Sequence, residues 1–236
     1  MAISFLKGVP ALFIEREKLV VVGDIHIGIG EKYRNSGIEF PNDAERTGHE
    51  IMSICNNNDA AGIAMLGDVK DRISRLTVED MRGMRDFFAQ IADTDIYIAK
   101  GNHDAYIDAI LSDIGVKATI KKEIVLSDVA LIHGNSMPSE EAMKKDYLIC
   151  GHSHMAALVN GIDRKAWLVA RAGNNISKFY KKHNKNIKLV VAPAFNRLII
   201  GSRIGYSSAK HLPLLNNNVF DLKKATVYDL FGNELA

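Results

Sequence analysis

A chain of 236 residues, 47% apolar and 25% charged, with few prolines and no low-complexity tract, is composed like a globular protein and is long enough for one large domain. Its formal net charge of +2 is too small to argue for nucleic acid, so any such case must come from local clustering. Cys55 and Cys150 form no C-x-x-C pair, Met1 to Val9 lack a signal-peptide core, and no apolar run approaches the ~20 residues of a membrane span; a cytoplasmic protein with reduced thiols and no membrane partner is expected.

Ala11–Ile14 and Lys18–Val22 flank a short charged turn and predict a β-hairpin. Its second strand is almost wholly apolar, as a strand buried on both faces should be. It runs into Gly23-Asp24-Ile25-His26, where two-residue alternation predicts that Asp24 and His26 share a face. A polar loop is expected from Gly28 to Pro41, holding Glu31, Lys32, Tyr33 and Arg34. Pro41-Asn42-Asp43 then opens a helix to about Asn57, on which His49 reads as structural or exposed.

Ile63–Leu66 is the next buried strand, and it exits into Gly67-Asp68-Val69-Lys70-Asp71-Arg72. Thr77 caps a helix to about Ala92, with Glu79 and Asp80 in its first turn. Ile96–Ala99 is a strand ending at Gly101-Asn102-His103-Asp104, and a short helix follows over 105–113. Strands are predicted at 116–120, 123–126 and 129–132, the last ending at His133-Gly134. Pro138 starts a helix, and Tyr147–Cys150 is a strand ending at Gly151-His152-Ser153-His154. Beyond that the pattern is β-rich: Met155–Val159, Ala166–Ala170, Lys188–Ala192, Leu198–Ile200 and Ala225–Leu230. Helices alternate with strands in the first half and strands dominate the second. Two mixed sheets packed face to face with helices outside are expected, an α/β (α+β) fold in one domain over 1–236.

Five apolar strands thus exit into small-plus-polar sequences, and five of the eight histidines fall there. Ligand sites of open α/β sheets lie at the carboxyl ends of strands. Asp24, His26, Asp68, Asn102, His133, His152 and His154 offer oxygen and nitrogen donors enough for two divalent cations with one carboxylate shared. The set contains no thiolate, which argues against a structural zinc site.

In order, D-x-H, G-D-x-x-D, G-N-H-D, H-G and G-H-x-H read here as DIH, GDVKD, GNHD, HG and GHSH. This series, over about residues 18–155, resembles the calcineurin-like metallophosphoesterases, and the DIHIG segment with its hairpin looks most like archaeal phosphoesterases related to the nuclease SbcD. The resemblance implies a four-layer αββα sandwich. It implies that Asp24, His26, Asp68 and His154 hold one metal and Asp68, Asn102, His133 and His152 the second, about 3.5 Å away. A metal-bridging hydroxide would attack phosphorus in line. His103 would stabilise the transition state or protonate the leaving oxygen, Asp71 would orient His103, and Arg72 would contact a phosphate oxygen or else form a surface salt bridge. Mn²⁺ is the expected metal, with Fe, Zn and Ni as alternatives.

The motifs leave the phosphate-ester substrate open. From Arg164 to Lys188 there are eight basic residues and no acid, with Trp167, Phe179 and Tyr180 interleaved, a composition that suits a nucleic-acid backbone and stacked bases or, equally, a solvated loop. Phosphodiester hydrolysis on nucleic acid is the first expectation. Hydrolysis of small nucleotides or other phosphate esters is the second, and a non-catalytic scaffold the third. The sequence sets no oligomeric state.

Overall fold

The computed structural model describes residues 3–34, 37–38, 43–203 and 211–235. A six-stranded sheet is built in chain order from β1 (Ile3–Phe5), β2 (Ala11–Ile14), β3 (Leu19–Val22), β4 (Gly62–Met65), β5 (Asp95–Ala99) and β6 (Thr119–Lys121). β1 to β3 pair antiparallel, whereas β3 to β6 are parallel and in a register that aligns Val22 with Met65 and Met65 with Ile98. That register brings three strand exits to one sheet end. Parallel neighbours require crossovers, which α1 (Gly30–Arg34), α2 (Ala44–Asn57) and α3 (Val78–Gln90) supply or join. Thr77 and Asp80 close a capping box at the start of α3. α4 (Ile107–Asp113) follows β5.

The second sheet contains β7 (Glu123–Val125), β8 (Val129–Ile132), β9 (Tyr147–Cys150), β12 (Trp167–Arg171), β13 (Lys188–Val191), β15 (Thr226–Tyr228) and β16 (Glu234–Leu235). Their spatial order is β16-β15-β12-β13-β9-β8-β7, with β8, β9 and β13 parallel. A small third sheet, β11-β10-β14, joins β10 (Met155–Val159), β11 (Ile162–Lys165) and β14 (Ser202–Arg203). α5 (Ile176–Phe179) and α6 (Pro213–Asn216) are short.

Three apolar clusters define the layers. One packs β3, β4 and β5 against α2, α3 and α4, through Ile51, Met84, Phe87, Phe88 and Ile107. The second lies between the sheets, where Leu12, Val21, Leu66 and Ala99 meet Leu131, Ile149, Trp167 and Val190. The third covers the outer face of the second sheet with Ile176, Leu214 and Leu215 from α5 and α6. The alternation of faces along Val20-Val21-Val22 assigns successive side chains to different clusters, which is why these strands are apolar throughout.

Several expectations are corrected. The helix expected from Pro138 is a single 3₁₀ turn, Ala142–Lys144: Lys145 is extended, and Asp146 N and Tyr147 N donate to Asp128 O at 2.9 and 3.2 Å as β9 begins. Leu198 closes a turn built on Asn196, Ile199 and Ile200 are irregular, and the strand comes later, at Ser202–Arg203. The Gly28–Pro41 loop contains α1. β1, β11 and β16 were not anticipated. Pro41 and Asn42, the expected helix opening, lie outside the described residues.

Candidate metal centre

Asp24 and His26 follow β3, Asp68 follows β4, Asn102 follows β5, His133 follows β8, and His152 and His154 follow β9. The exits are bent, not extended. Asp24, His26, Asp68, His152 and His154 have φ of 53°, 47°, 47°, 68° and 45°, in the left-handed region that costs a non-glycine residue roughly 1–3 kcal/mol. Asp24 and His26 therefore converge through two left-handed bends, and the expected strand alternation does not apply beyond Val22. The bends are imposed from outside: His26 N donates to Asp68 O at 2.9 Å and Ile27 N to Val69 O at 2.8 Å, which ties the first two exits together. A Cβ on Gly101 would collide with the Asp68 carboxylate, and one on Gly151 with that of Asp24, so both motif glycines are there for close approach.

The side chains gather into two clusters. Asp24 Oδ1 is 3.2 Å from His154 Nε2, which is 3.3 Å from His26 Nε2. Across the site, His133 Nε2 lies 3.0 Å from Asn102 Oδ1, 3.0 Å from His152 Nδ1 and 3.3 Å from Asp68 Oδ2. Asp68 Oδ2 is also 3.7 Å from His26 Nε2, which places this carboxylate between the clusters. All seven residues expected as ligands come together.

The far ring nitrogens fix the tautomers. His133 Nδ1 donates to Leu66 O at 2.7 Å, and His26 Nδ1 to Asp71 Oδ1 at 3.2 Å. The opposite nitrogens then present lone pairs to other acceptors, an arrangement that is repulsive unless a proton or cation sits among them. Burial opposes ionisation of both Asp68 and His133, yet their mutual bond and charge prevail: the Asp68 carboxyl is held below its ordinary range and the His133 imidazole above. For His152, burial and the neighbouring His133 lower the pKa to about 4, so its ring stays neutral. The negative field that favours a proton at His133 favours a cation there too. The donors are carboxylate, amide and imidazole, suited to divalent metals. Cys150, buried beside Asp24, is kept a neutral thiol by desolvation.

Around the ligands, His103 N donates to Asp68 Oδ1 at 2.8 Å, and its ring lies 5.0 Å from that of His26. His103 Nδ1 pairs with the main-chain carbonyl of Asp71, while the Asp71 carboxylate bonds His26 Nδ1. Asp71 thus steadies His26, one of the expected ligands, as well as His103, and it meets His103 through its backbone. Arg72 Nε pairs with Asp80 Oδ2 at 2.7 Å, the salt bridge foreseen as the alternative. Asp104 is fully buried and joins two exits by accepting from Val69 N and Gly101 N, both at 2.9 Å.

Two lysines that support the site carry no mark in the sequence. Lys70, fully buried, donates to Arg72 O and His103 O, both at 2.5 Å, and binds the GDVKD and GNHD loops to each other. Lys165 serves the loop after β13 in the same manner, and that loop includes the buried Asn196. A lysine in a run of eight basic residues carries no mark distinguishing it from a solvated one. A cavity of about 320 Å³ adjoins His26, lined by Ile27, Ile29, Glu31, Asp80, Asn196 and Leu198 among others.

Four lysines of the basic run lie away from the centre. Lys178, Lys181, Lys182 and Lys185 precede β13, at the amino end of a strand parallel to β8 and β9, whereas the ligands follow the carboxyl ends of those strands. Four residues of strand, about 13 Å, separate the two. Trp167 is buried between the sheets, and Tyr180 is buried with its hydroxyl donating to Pro138 O at 3.0 Å, so neither presents a face for stacking. Phe179 is exposed.

Two clusters of oxygen and nitrogen donors sharing a carboxylate, set on strand exits of a layered α/β sandwich, define a metal-dependent hydrolase. Residues 18–178 match the calcineurin-like phosphoesterase superfamily domain, and the chain belongs to that superfamily. Among solved structures, the Pseudomonas putida nuclease MPE is similar over 96% of this chain and 92% of its own, at 16% identity and a TM-score of 0.64, a likeness of fold. Yfce, a phosphoesterase from E. coli, shares 19% identity over 62% of this chain and 76% of its own, at a TM-score of 0.37. No curated protein matches the chain. Among the described residues, no helix is long and apolar enough to cross a membrane.

Proposed function

We propose that the chain hydrolyses phosphodiester bonds at a dinuclear centre. The observation that carries this is the place of Asp68 Oδ2, 3.3 Å from His133 Nε2 and 3.7 Å from His26 Nε2, within reach of both donor clusters. Asp24, His26 and His154 would hold one cation, Asn102, His133 and His152 the other, and Asp68 both. Bound there, two divalent cations neutralise the phosphate and supply a water that ionises near neutral pH. Mn²⁺ suits the mix of carboxylate, amide and imidazole, with Fe, Zn and Ni as alternatives.

The protein's own groups do the rest. His103, with Nδ1 donating to the Asp71 carbonyl, keeps Nε2 for the leaving oxygen; as the doubly protonated imidazolium it would give up its Nε2 proton as the bond to phosphorus breaks and be left as the neutral Nδ1–H ring. Asp71 and Leu66 fix the rings of His26 and His133, so that the ligating nitrogens stay deprotonated and aimed inward.

Nucleic acid is the first substrate of this proposal, supported by the SbcD-like motif arrangement. A second substrate class, small nucleotides, is favoured by the cavity beside His26, about 320 Å³, and by the basic run lying at the other end of the sheet. The Mn²⁺-loaded protein should cleave bis-p-nitrophenyl phosphate faster than the monoester and lose that activity to a chelator. Assays on single-stranded DNA and cyclic nucleotides then separate the two classes. No hydrolysis of any ester by the metal-loaded protein would refute the proposal.

A further inference from the structure

The loop after β13 is gripped on two sides. From one side, Lys165 at the end of β11 sends Nζ to three successive carbonyls, Ala194 at 2.7 Å, Phe195 at 3.2 Å and Asn196 at 2.6 Å. From the other side, the loop holds the exit of β3. Phe195 N donates to Gly23 O at 2.7 Å, Asn196 N to Asp24 O at 3.5 Å and Asn196 Nδ2 to Ile25 O at 2.6 Å. Asn196 Oδ1 accepts from Leu198 N at 2.8 Å, which fixes which way its amide faces. Three consecutive carbonyls of the Gly23-Asp24-Ile25 segment are therefore met by one loop.

That segment carries two of the left-handed ligand positions, Asp24 and His26, and such backbone persists only where its surroundings over-determine it. The hydrogen bonds from the Asp68 loop hold one side of the segment, and the Asn196 loop holds the other. Asn102 and His133 stand on other exits, and no described bond of Lys165 or the Asn196 side chain reaches them.

We propose that Lys165 and Asn196 are positioning residues for the metal centre: they clamp Gly23-Asp24-Ile25 in its bent course and thereby set the affinity of the Asp24, His26 and His154 half of the site. Neither belongs to the ligand set; Asn196 also borders the cavity beside His26, so KM is read alongside metal affinity to separate the two roles. The inference rests on the phosphoesterase proposal for the two-metal centre and goes beyond it by naming a support outside the residues 18–178 matched to the superfamily, since Asn196 lies past that boundary.

The test is a calorimetric Mn²⁺ titration of chelator-stripped protein, for wild type, Lys165→Met and Asn196→Ala. Lys165→Met keeps the aliphatic stem and removes the ammonium; Asn196→Ala removes the side-chain bonds alone. Wild type should bind two Mn²⁺. Each variant should lose about 10–100-fold in affinity at one site and keep the other unchanged, the scale seen when a group behind a metal ligand is removed. At saturating Mn²⁺, kcat on bis-p-nitrophenyl phosphate should recover towards wild type with KM little altered, which a global packing defect would not allow. Unchanged affinity at both sites in folded variants overturns the inference. So does an equal fall at both sites together with a lower unfolding midpoint of the stripped protein, because that is general destabilisation. Should Lys165→Met fail to fold, Asn196→Ala decides. Wild-type protein that binds no divalent cation refutes the two-metal proposal itself, an outcome distinct from either.

Discussion

The two ends of the central sheets use their charged side chains differently. At the carboxyl end, the ionic groups around the site are engaged: Asp24 and Asp68 face imidazoles, and Lys70 and Lys165 are spent on main-chain carbonyls. At the amino end of β13, Lys178, Lys181, Lys182 and Lys185 are exposed; of the neighbouring aromatics Tyr180 is buried for packing and Phe179 is exposed. In sequence the contrast is reversed. The conspicuous lysine cluster at 178–185 lies away from the chemistry, and the cations that matter to the site, Lys70 and Lys165, look like ordinary lysines. Charge does its work here through burial and hydrogen bonding, both of which depend on which strand end a residue follows.

The contrast breaks most severely at Asp68. Asp68→Ala removes the carboxylate shared by both clusters, so metal analysis should show both cations lost and turnover reduced to background. Retention of two metals would place the bridge elsewhere.

His103→Ala should sharpen the distinction between holding metals and moving protons. Metal content should stay at the wild-type level, while kcat falls about 10²–10⁴-fold, the usual contribution of a general acid. The loss should be larger for diesters with poor leaving groups, since these need the proton most. Loss of metal in this variant would make His103 a ligand.

A smaller effect separates the half-buried Lys165 from the exposed lysines by pH. Desolvation lowers the Lys165 pKa from its ordinary 10.5 to about 8, with Glu50 and Asp24 opposing and Arg197 assisting. Between pH 8 and 10.5 the unfolded chain then binds a proton that the folded chain has released, so stability from this residue rises with pH across that window. Urea-unfolding midpoints of wild type, compared with Lys165→Met, should show the difference between them growing in favour of wild type from pH 8 to pH 10.5. A constant difference would mean that Lys165 titrates normally.

The least disturbance is expected at the amino end. Changing Lys178, Lys181, Lys182 and Lys185 to Glu should leave hydrolysis of bis-p-nitrophenyl phosphate and of dinucleotides unchanged. Only a strand long enough to leave the site and run past β13 can meet these lysines. For such strands each lost phosphate contact should flatten the log–log salt dependence of binding by roughly 0.7. A fall in dinucleotide turnover would bring the two ends closer than the topology does.

The sequence by itself determined the strands β3, β4, β5, β8 and β9 and the polar residue types at their exits, because a strand buried on both faces must be apolar throughout and its end is marked by glycine with a polar residue. It also determined the donor chemistry, since Asp, Asn and His at those exits leave little but divalent metal for so many lone pairs. Tertiary structure decided the rest. Neighbouring loops, not strand geometry, bend Asp24 and His26 inward. The partners of Asp71 and Arg72 were set by which side chains arrive within reach, which for Asp71 came from 45 residues away. The supports at Lys165 and Asn196 were invisible because a hydrogen bond to a main-chain carbonyl has no sequence signature: any residue can provide the acceptor, and only the folded path says which one it is.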